Sequence, residues 1–258
     1  MIKAYIERGI SFLIKENEPL KAILEFKNAY RISPRNFSVL YWMGICYFTM
    51  GSLNAAQFFL RKSLAGAKTL EEKCISTSSL AMIYIEKKEF KVAEGFLRAV
   101  LRMAFKTHSR EMIVIAYTKL AHLNKALKDL TKALFYLKRA LALSSGMKRA
   151  FILKDMADIY QEMEEYKKAI EFYEDALSIE GLEGNVRLCT NILLNIIYSY
   201  KKIGNAGKVL EFSRRTMDYI TKHGTEQEIN DVEQVVRRAE KEIASSIWFS
   251  LTQYFSNR

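Results

Sequence analysis

One short pattern recurs along nearly the whole chain: a small residue, a large apolar one four positions on, and a second small one three further. It reads Ala22, Phe26, Ala29; then Ala56, Leu60, Ser63; then Ala93, Leu97, Val100; then Ala133, Leu137, Ala140; then Ala169, Tyr173, Ala176. It fades into Val209, Ser213, Thr216. Successive sets begin 34, 37, 40, 36 and 40 residues apart. The spacing i, i+4, i+7 puts all three side chains on one face of a helix. Self-similarity at such an interval marks a stack of repeated helical units, each burying its apolar face on its neighbours. A stack of this kind offers an extended surface for binding rather than a pocket for chemistry.

Composition agrees with long helices. Half of the 258 residues are hydrophobic, and only two prolines and 11 glycines interrupt the chain. No strand-like alternation competes with the helical period. The three cysteines, Cys46, Cys74 and Cys189, are scattered in apolar helical stretches, which fits small buried side chains in a reducing compartment. They form no metal-binding spacing, so neither a metal nor a cofactor is expected. Glu7 and Arg8 break the first apolar run where a leader peptide would need it continuous. No stretch reaches 18 uncharged apolar residues. A cytoplasmic protein without an integral membrane segment is therefore expected.

Residues 37–64 display the unit best, with Leu40, Met43, Gly44 and Tyr47 followed by Ala56, Leu60 and Ser63. Residues 150–179 repeat it as Leu153, Met156, Ala157, Tyr160, Tyr166, Ala169, Tyr173 and Ala176. Pro34 closes the first unit. These residues resemble the tetratricopeptide repeat pattern. The resemblance implies an all-α, right-handed superhelical solenoid of about six helical hairpins, with a C-terminal capping helix. The units are expected at residues 2–36, 37–73, 74–113, 114–149, 150–189 and 190–222. Gly44, Ala81, Ala121 and Ala157 fall where paired helices must approach within about 8–10 Å. Their role is packing. The sixth unit is ragged, since Ile197 and Val209 replace two small residues.

A final element is expected over 225–256. Thr225 and Glu228 read as a capping box. Ile243, Ile247, Trp248, Leu251, Tyr254 and Phe255 then continue an apolar stripe. The helix either covers the last repeat or pairs with a second copy through Ile247, Trp248, Leu251, Tyr254 and Phe255. Its polar face is mostly uncharged, which argues against a lipid surface.

The resemblance also implies that the first helix of each unit lines the inner groove. The side chains expected there are Tyr41, Trp42, Ile45 and Phe48, then Met82, then Lys119, His122 and Lys125, then Lys154 and Asp158, then Asn195 and Tyr198. The early part is aromatic and the later part polar to basic. A peptide with an apolar anchor and an acidic flank complements such a groove. Trp42 equally suits packing between helices. Family members that clamp a C-terminal carboxylate use paired Lys and Asn. Here the matching positions hold Tyr41/Ile45, Ser78/Met82, Thr118/His122 and Lys154/Asp158, so no such clamp is expected.

The net charge of +11 is unevenly placed. Residues 87–139 contain 13 Lys or Arg and four acids. Arg98, Arg102, Lys106 and Arg110 are four apart. This basic patch suits an acidic partner or the phosphates of a nucleic acid. Interleaved aromatic residues would favour a nucleic acid, and the patch lacks them except for Phe105 and Tyr117. The three histidines are far apart, and no nucleophile, phosphate-binding or metalloprotease motif is present. The chain therefore reads as a non-catalytic scaffold for a protein or peptide partner. The alternatives are nucleic-acid or acidic-partner binding through residues 87–139, and self-assembly through the C-terminal helix.

Overall fold

The computed structural model describes residues 1–14 and 16–256, with side chains given up to Ser245. The described residues form thirteen α-helices and one 3-10 turn, and no strand. The helices are α1 (Ile2–Ile14), α2 (Pro19–Ile32), α3 (Phe37–Thr49), α4 (Leu53–Gly66), α5 (Leu70–Glu86), α6 (Phe90–Lys106), α7 (Arg110–Ala126), α8 (Leu130–Ala142), α9 (Gly146–Glu162), α10 (Tyr166–Leu177), α11 (Val186–Ile203), α12 (Ala206–His223) and α13 (Glu226–Ser256). The chain divides into two compact units, one from Met1 to Leu143 and one from Ser144 onward.

In the first unit α1–α8 form four antiparallel hairpins. Helices α2, α4 and α6 also pack on α3, α5 and α7 respectively, and α1, α3, α5 and α7 pack side by side. In the second unit α9 and α10 form one hairpin and α11 and α12 another, and α13 rests on α12 and α11. This is the all-α hairpin stack that the repeat spacing requires.

The recurrent triplet explains the packing. All eighteen of its residues, from Ala22 to Thr216, are completely buried. They lie on the second helices α2, α4, α6, α8, α10 and α12. Small side chains let two helices approach, and the large one between them fills the space created. Gly44 on α3 marks the tightest approach in its hairpin. A Cβ placed there would lie 2.6 Å from Cγ of Leu60 on α4.

A second contact recurs that the triplet does not contain. A tyrosine of the first helix stacks on an aromatic ring of the second, as Tyr47 on Phe59, Tyr84 on Phe96, Tyr117 on Tyr136, Tyr160 on Phe172 and Tyr200 on Phe212. Ring centroids are 5.1–6.1 Å apart. Each of these five hairpin turns closes with one left-handed residue: Gly51, Lys88, Lys128, Glu164 or Gly204. The amide after it donates back to the stacking tyrosine's carbonyl at Tyr47, Tyr84, Tyr160 and Tyr200, and to Asn124 in the fourth hairpin. These bonds satisfy carbonyls that the helix end would otherwise leave open.

Side-chain caps begin several helices. Asn36, Ser109, Asp129, Asn185 and Asn205 each accept from an amide of the first turn. Thr69 and Glu72 form a complete capping box on α5. Thr225 and Glu228 do so at α13, as their spacing requires: the Thr225 amide donates to Glu228 Oε2 at 2.9 Å, and the Glu228 amide to Thr225 Oγ1 at 3.4 Å. Along α13, Val232, Val236, Ala239 and Ile243 are buried. The stripe formed by Ile247, Trp248, Leu251, Tyr254 and Phe255 lies outside the described side chains.

Candidate functional site

The first helices of the first unit present one surface, because α1, α3, α5 and α7 are neighbours. Tyr41, Ile45 and Phe48 of α3 are half-buried there, against a core cluster that includes Leu80 and Ile83 of α5. Met82 of α5 is likewise half-buried. Burial pushes the Tyr41 phenol above its ordinary value, and a hydrogen bond with Ser79 of α5 offsets part of that rise. Trp42 meets the Tyr41 ring edge-on, with centroids 5.4 Å apart. It stacks on Phe26 with centroids 6.5 Å apart and planes 10° apart, and it packs with the Leu13, Phe26 and Met43 cluster. On α7, Lys119, His122 and Lys125 are all half-buried.

The first helices of the second unit are cross-linked by polar contacts. Lys154 Nζ donates to Asp158 Oδ2 at 2.6 Å, and Tyr173 donates from its hydroxyl to Asp158 Oδ1 at 2.6 Å. Burial first, and then the adjacent Asp158 carboxylate, push the Tyr173 phenol far up, so it serves only as a donor. Lys154 thus already meets a carboxylate within its own helix. Gln161 Nε2 reaches from α9 to the Asn195 carbonyl at 3.2 Å and to Ser199 Oγ at 2.9 Å on α11. The Asn195 amide donates to Asn191 Oδ1. Tyr198 is exposed, with the Lys201 and Lys202 ammonium groups 5.8 and 5.5 Å from its ring centre. A cleft of about 230 Å³ opens between α11, α12 and α13, lined by Thr190, Leu194, Ile220 and Val232.

Charge follows helix layer rather than sequence span. The first unit carries 24 basic and 11 acidic residues, and the second 16 and 18. Within the first unit, α2, α4, α6 and α8 carry twelve basic and two acidic residues, while α1, α3, α5 and α7 carry six and five. The expected patch is therefore part of a larger basic face on the second helices. Arg98, Arg102 and Lys106 of α6 are exposed on it, and Arg98 pairs with Glu94 at 2.7 Å. Arg110 begins α7 instead, and its Nε donates to the Leu143 carbonyl at 2.8 Å.

The aromatic residues expected to interleave with these charges need correction. Tyr117 is buried against Tyr136, because it is the stacking tyrosine of its hairpin. Phe105 is half exposed. Phe135, which the linear reading passes over, is half exposed too, with the Arg139 guanidinium 4.7 Å above its ring. Its signal is positional: it falls two places after Ala133, as Phe58 falls two places after Ala56.

Among the described residues no helix is long and apolar enough to cross a membrane, and no three His, Cys, Asp or Glu side chains are grouped to hold a metal ion.

Sequence models of the tetratricopeptide repeat match residues 37–65 and 112–179. With the hairpin stack and its buried triplets, they show that these segments are tetratricopeptide repeats. No curated protein matches it. Among solved structures it is similar to the Signal Transduction ATPase with Numerous Domains protein with a tetratricopeptide repeat sensor from Pyrococcus horikoshii. There the TM-score is 0.71 at 16% identity, over 91% of this chain and 38% of that one. It is also similar to the Cut9–Hcn1 hetero-tetramer of the APC/C, with a TM-score of 0.63 at 14% identity, over 94% of this chain and 42% of the other. BtubC from P. vanneervenii gives 0.60 at 17% identity, over 84% of this chain and 91% of its own. The chain thus spans about two fifths of the first two, and at these identities the likeness is one of fold. The fold is that of a protein-interaction scaffold, and such repeats are typically non-catalytic.

Proposed function

We propose that the protein captures a segment of a partner protein on the surface formed by its first helices in the first unit. One observation carries this reading: the half-exposed Tyr41, Ile45, Phe48 and Met82 fall on the adjacent helices α3 and α5, forming an apolar strip. A partner segment would bury that strip with an apolar anchor, which supplies affinity on a largely preformed surface. Lys119, His122 and Lys125 on the neighbouring α7 favour an acidic flank in the same segment. Trp42 supports α3 by its stack on Phe26.

The test compares wild type with Tyr41→Ala/Phe48→Ala as bait in extracts of the native host, followed by calorimetry with the captured segment as a synthetic peptide. Both replaced side chains are only half-buried, and far-ultraviolet circular dichroism checks that the array remains folded. Affinity should fall at least about tenfold, since each buried aromatic is worth roughly 1.5–3 kcal/mol. Equal affinity for both proteins rejects the assignment of this surface.

A further inference from the structure

The second helices of the first unit hold a feature that their packing leaves unused. Two places after the opening small residue of the triplet come Leu24, Phe58 and Phe135, with Gly95 in that place on α6. Leu24, Phe58 and Phe135 are exposed by 60%, 51% and 50%. Five places after it come Lys27, Arg61, Arg98 and Lys138, one basic side chain on each of α2, α4, α6 and α8, all exposed. An apolar row and a basic row therefore run in register over this face. In two helices the rows coincide as a local motif, Phe58 with Arg61 and Lys62, and Phe135 with Lys138 and Arg139. In both, a cation already lies over the ring: Lys62 Nζ is 4.4 Å and the Arg139 guanidinium 4.7 Å from the ring centre.

Each of these phenylalanines meets the next ring edge-on, Phe58 to Phe59 at 5.2 Å and Phe135 to Tyr136 at 5.5 Å, and leaves about half of its own surface open. The ring that each hairpin stacks on its first-helix tyrosine is the next residue, Phe59 or Tyr136. In the second unit the equivalent exposed places hold Glu171 and Glu211 on the same kind of helix. Single exposed apolar residues are ordinary. A half-exposed ring that twice accompanies two adjacent cations, on a face with twelve basic and two acidic residues, is not the same thing.

We infer that this face binds single-stranded nucleic acid. The basic row follows the phosphates, and bases stack on Phe58 and Phe135, the combination by which proteins hold single strands without base readout. Beside Phe58 is an open depression of about 450 Å³, lined also by Asn54, Gln57, Arg61, Lys62 and Ala65. Lys87 donates to Asn54 Oδ1 and Gln57 Oε1 from beside it, and Gln57 Nε2 and Arg61 donate to the Tyr84 hydroxyl. Amide side chains and planar rings suit a nucleobase. A single strand uses rings and cations together, its bases stacking on the one and its phosphates pairing with the other. This surface is on different helices from the peptide-binding strip, so either reading stands without the other.

The experiment uses the full chain and a fluorescein-labelled oligouridylate of about 20 nucleotides, read by anisotropy across a salt series. The wild type should bind, with log K falling by about 0.7 per phosphate neutralised for each decade of salt. Phe58→Ala/Phe135→Ala should weaken binding at least about 25-fold at an unchanged salt slope. Changing Arg61, Lys62, Lys138 and Arg139 to Gln should reduce the slope by up to about 2.8. An oligothymidylate should behave similarly, because stacking and charge do not distinguish the sugars. No binding at low salt overturns the inference. So does equal affinity of wild type and the double phenylalanine variant, which means adsorption of any polyanion. Binding confined to vesicles containing phosphatidylserine overturns it in favour of a membrane surface.

Discussion

The contact between Gly44 and Leu60 allows a sharp test of how each hairpin is held. An alanine methyl at residue 44 would lie 2.6 Å from Leu60 Cγ, 2.9 Å from its Cδ2 and 3.3 Å from its amide nitrogen. Carbon atoms rest at about 3.5–4.0 Å, so roughly 1 Å must be found by moving Leu60 or separating α3 from α4. Leu60 is completely buried, so it has nowhere easy to go. Overpacking of this kind costs about 1–3 kcal/mol. Alanine returns about 1 kcal/mol of helix propensity over glycine. Gly44→Ala should therefore destabilise by about 0–2 kcal/mol. Leu60→Ala alone opens a cavity and costs about 2–5 kcal/mol. In the double variant the crowding atoms are gone, the propensity gain remains, and the new methyl partly fills the hole. The double should thus be about 1–3 kcal/mol more stable than the two single effects predict. Urea unfolding followed by circular dichroism measures each variant. Tryptophan fluorescence checks that one transition is seen, since repeat arrays can lose cooperativity. If the two effects add to within about 0.5 kcal/mol, the close approach of α3 and α4 is not what fixes residue 44 as glycine.

Two further expectations rest on titratable groups. Burial pushes the Cys46 thiol up to about 11, and burial also raises Cys74 and Cys189. Because the thiolate is the reactive form, all three should resist a thiol reagent at neutral pH and react together once denaturant unfolds the chain; rapid labelling of Cys46 in the native protein contradicts this. Glu242 is held below the usual carboxylate range, first by its hydrogen bond from Lys201 at 2.6 Å and then by Arg238. A carboxyl lowered in the folded state adds stability that is present above its unfolded value near 4.5 and is lost as pH falls through the lower folded value. Hydrogen exchange along α13 should show a small advantage of wild type over Glu242→Gln at neutral pH that disappears in acid; an advantage independent of pH would mean that the ion pair does not tether α13 to α11.

The fold class was legible because its cause is repeated. Each triplet places a large side chain between two small ones, and only a close helix pair satisfies that arrangement six times. The tyrosine stack within each hairpin was not legible in the same way. Its second ring, such as Phe59 or Phe172, adjoins the triplet's large residue, and in an aromatic-rich chain nothing in the spacing separates it from its neighbours. The turns at Lys88, Lys128 and Glu164 adopt the left-handed conformation without glycine, so the usual punctuation is missing there. Side-chain partners were harder still. Lys154 and Asp158 have the i, i+4 spacing of a helical ion pair, but only the Tyr173 hydroxyl arriving from α10 fixes the carboxylate between two donors. Trp42 meets both Phe26 from α2 and Tyr41 on its own helix, contacts that spacing alone does not reveal.

The basic region shows why a linear charge count misplaces a surface. A run from 87 to 139 mixes two second helices with a first helix and three turns, whose side chains point in different directions. Counting by register separates them. Positions of the triplet are consumed by packing and can recognise nothing. The position after Phe58 or Phe135 is consumed by the tyrosine stack. What remains on a second helix is the outward arc at two, five and six places, and there the chain is free to choose. It chooses phenylalanine with two cations on α4 and α8, and acids on α10. Glu171 holds on α10 the register that Phe135 holds on α8, so a hairpin of this kind does not require a ring there. The difference between the two units is a difference of surface chemistry, and a polyanion would settle on the first unit because charge, not shape, separates it from the second.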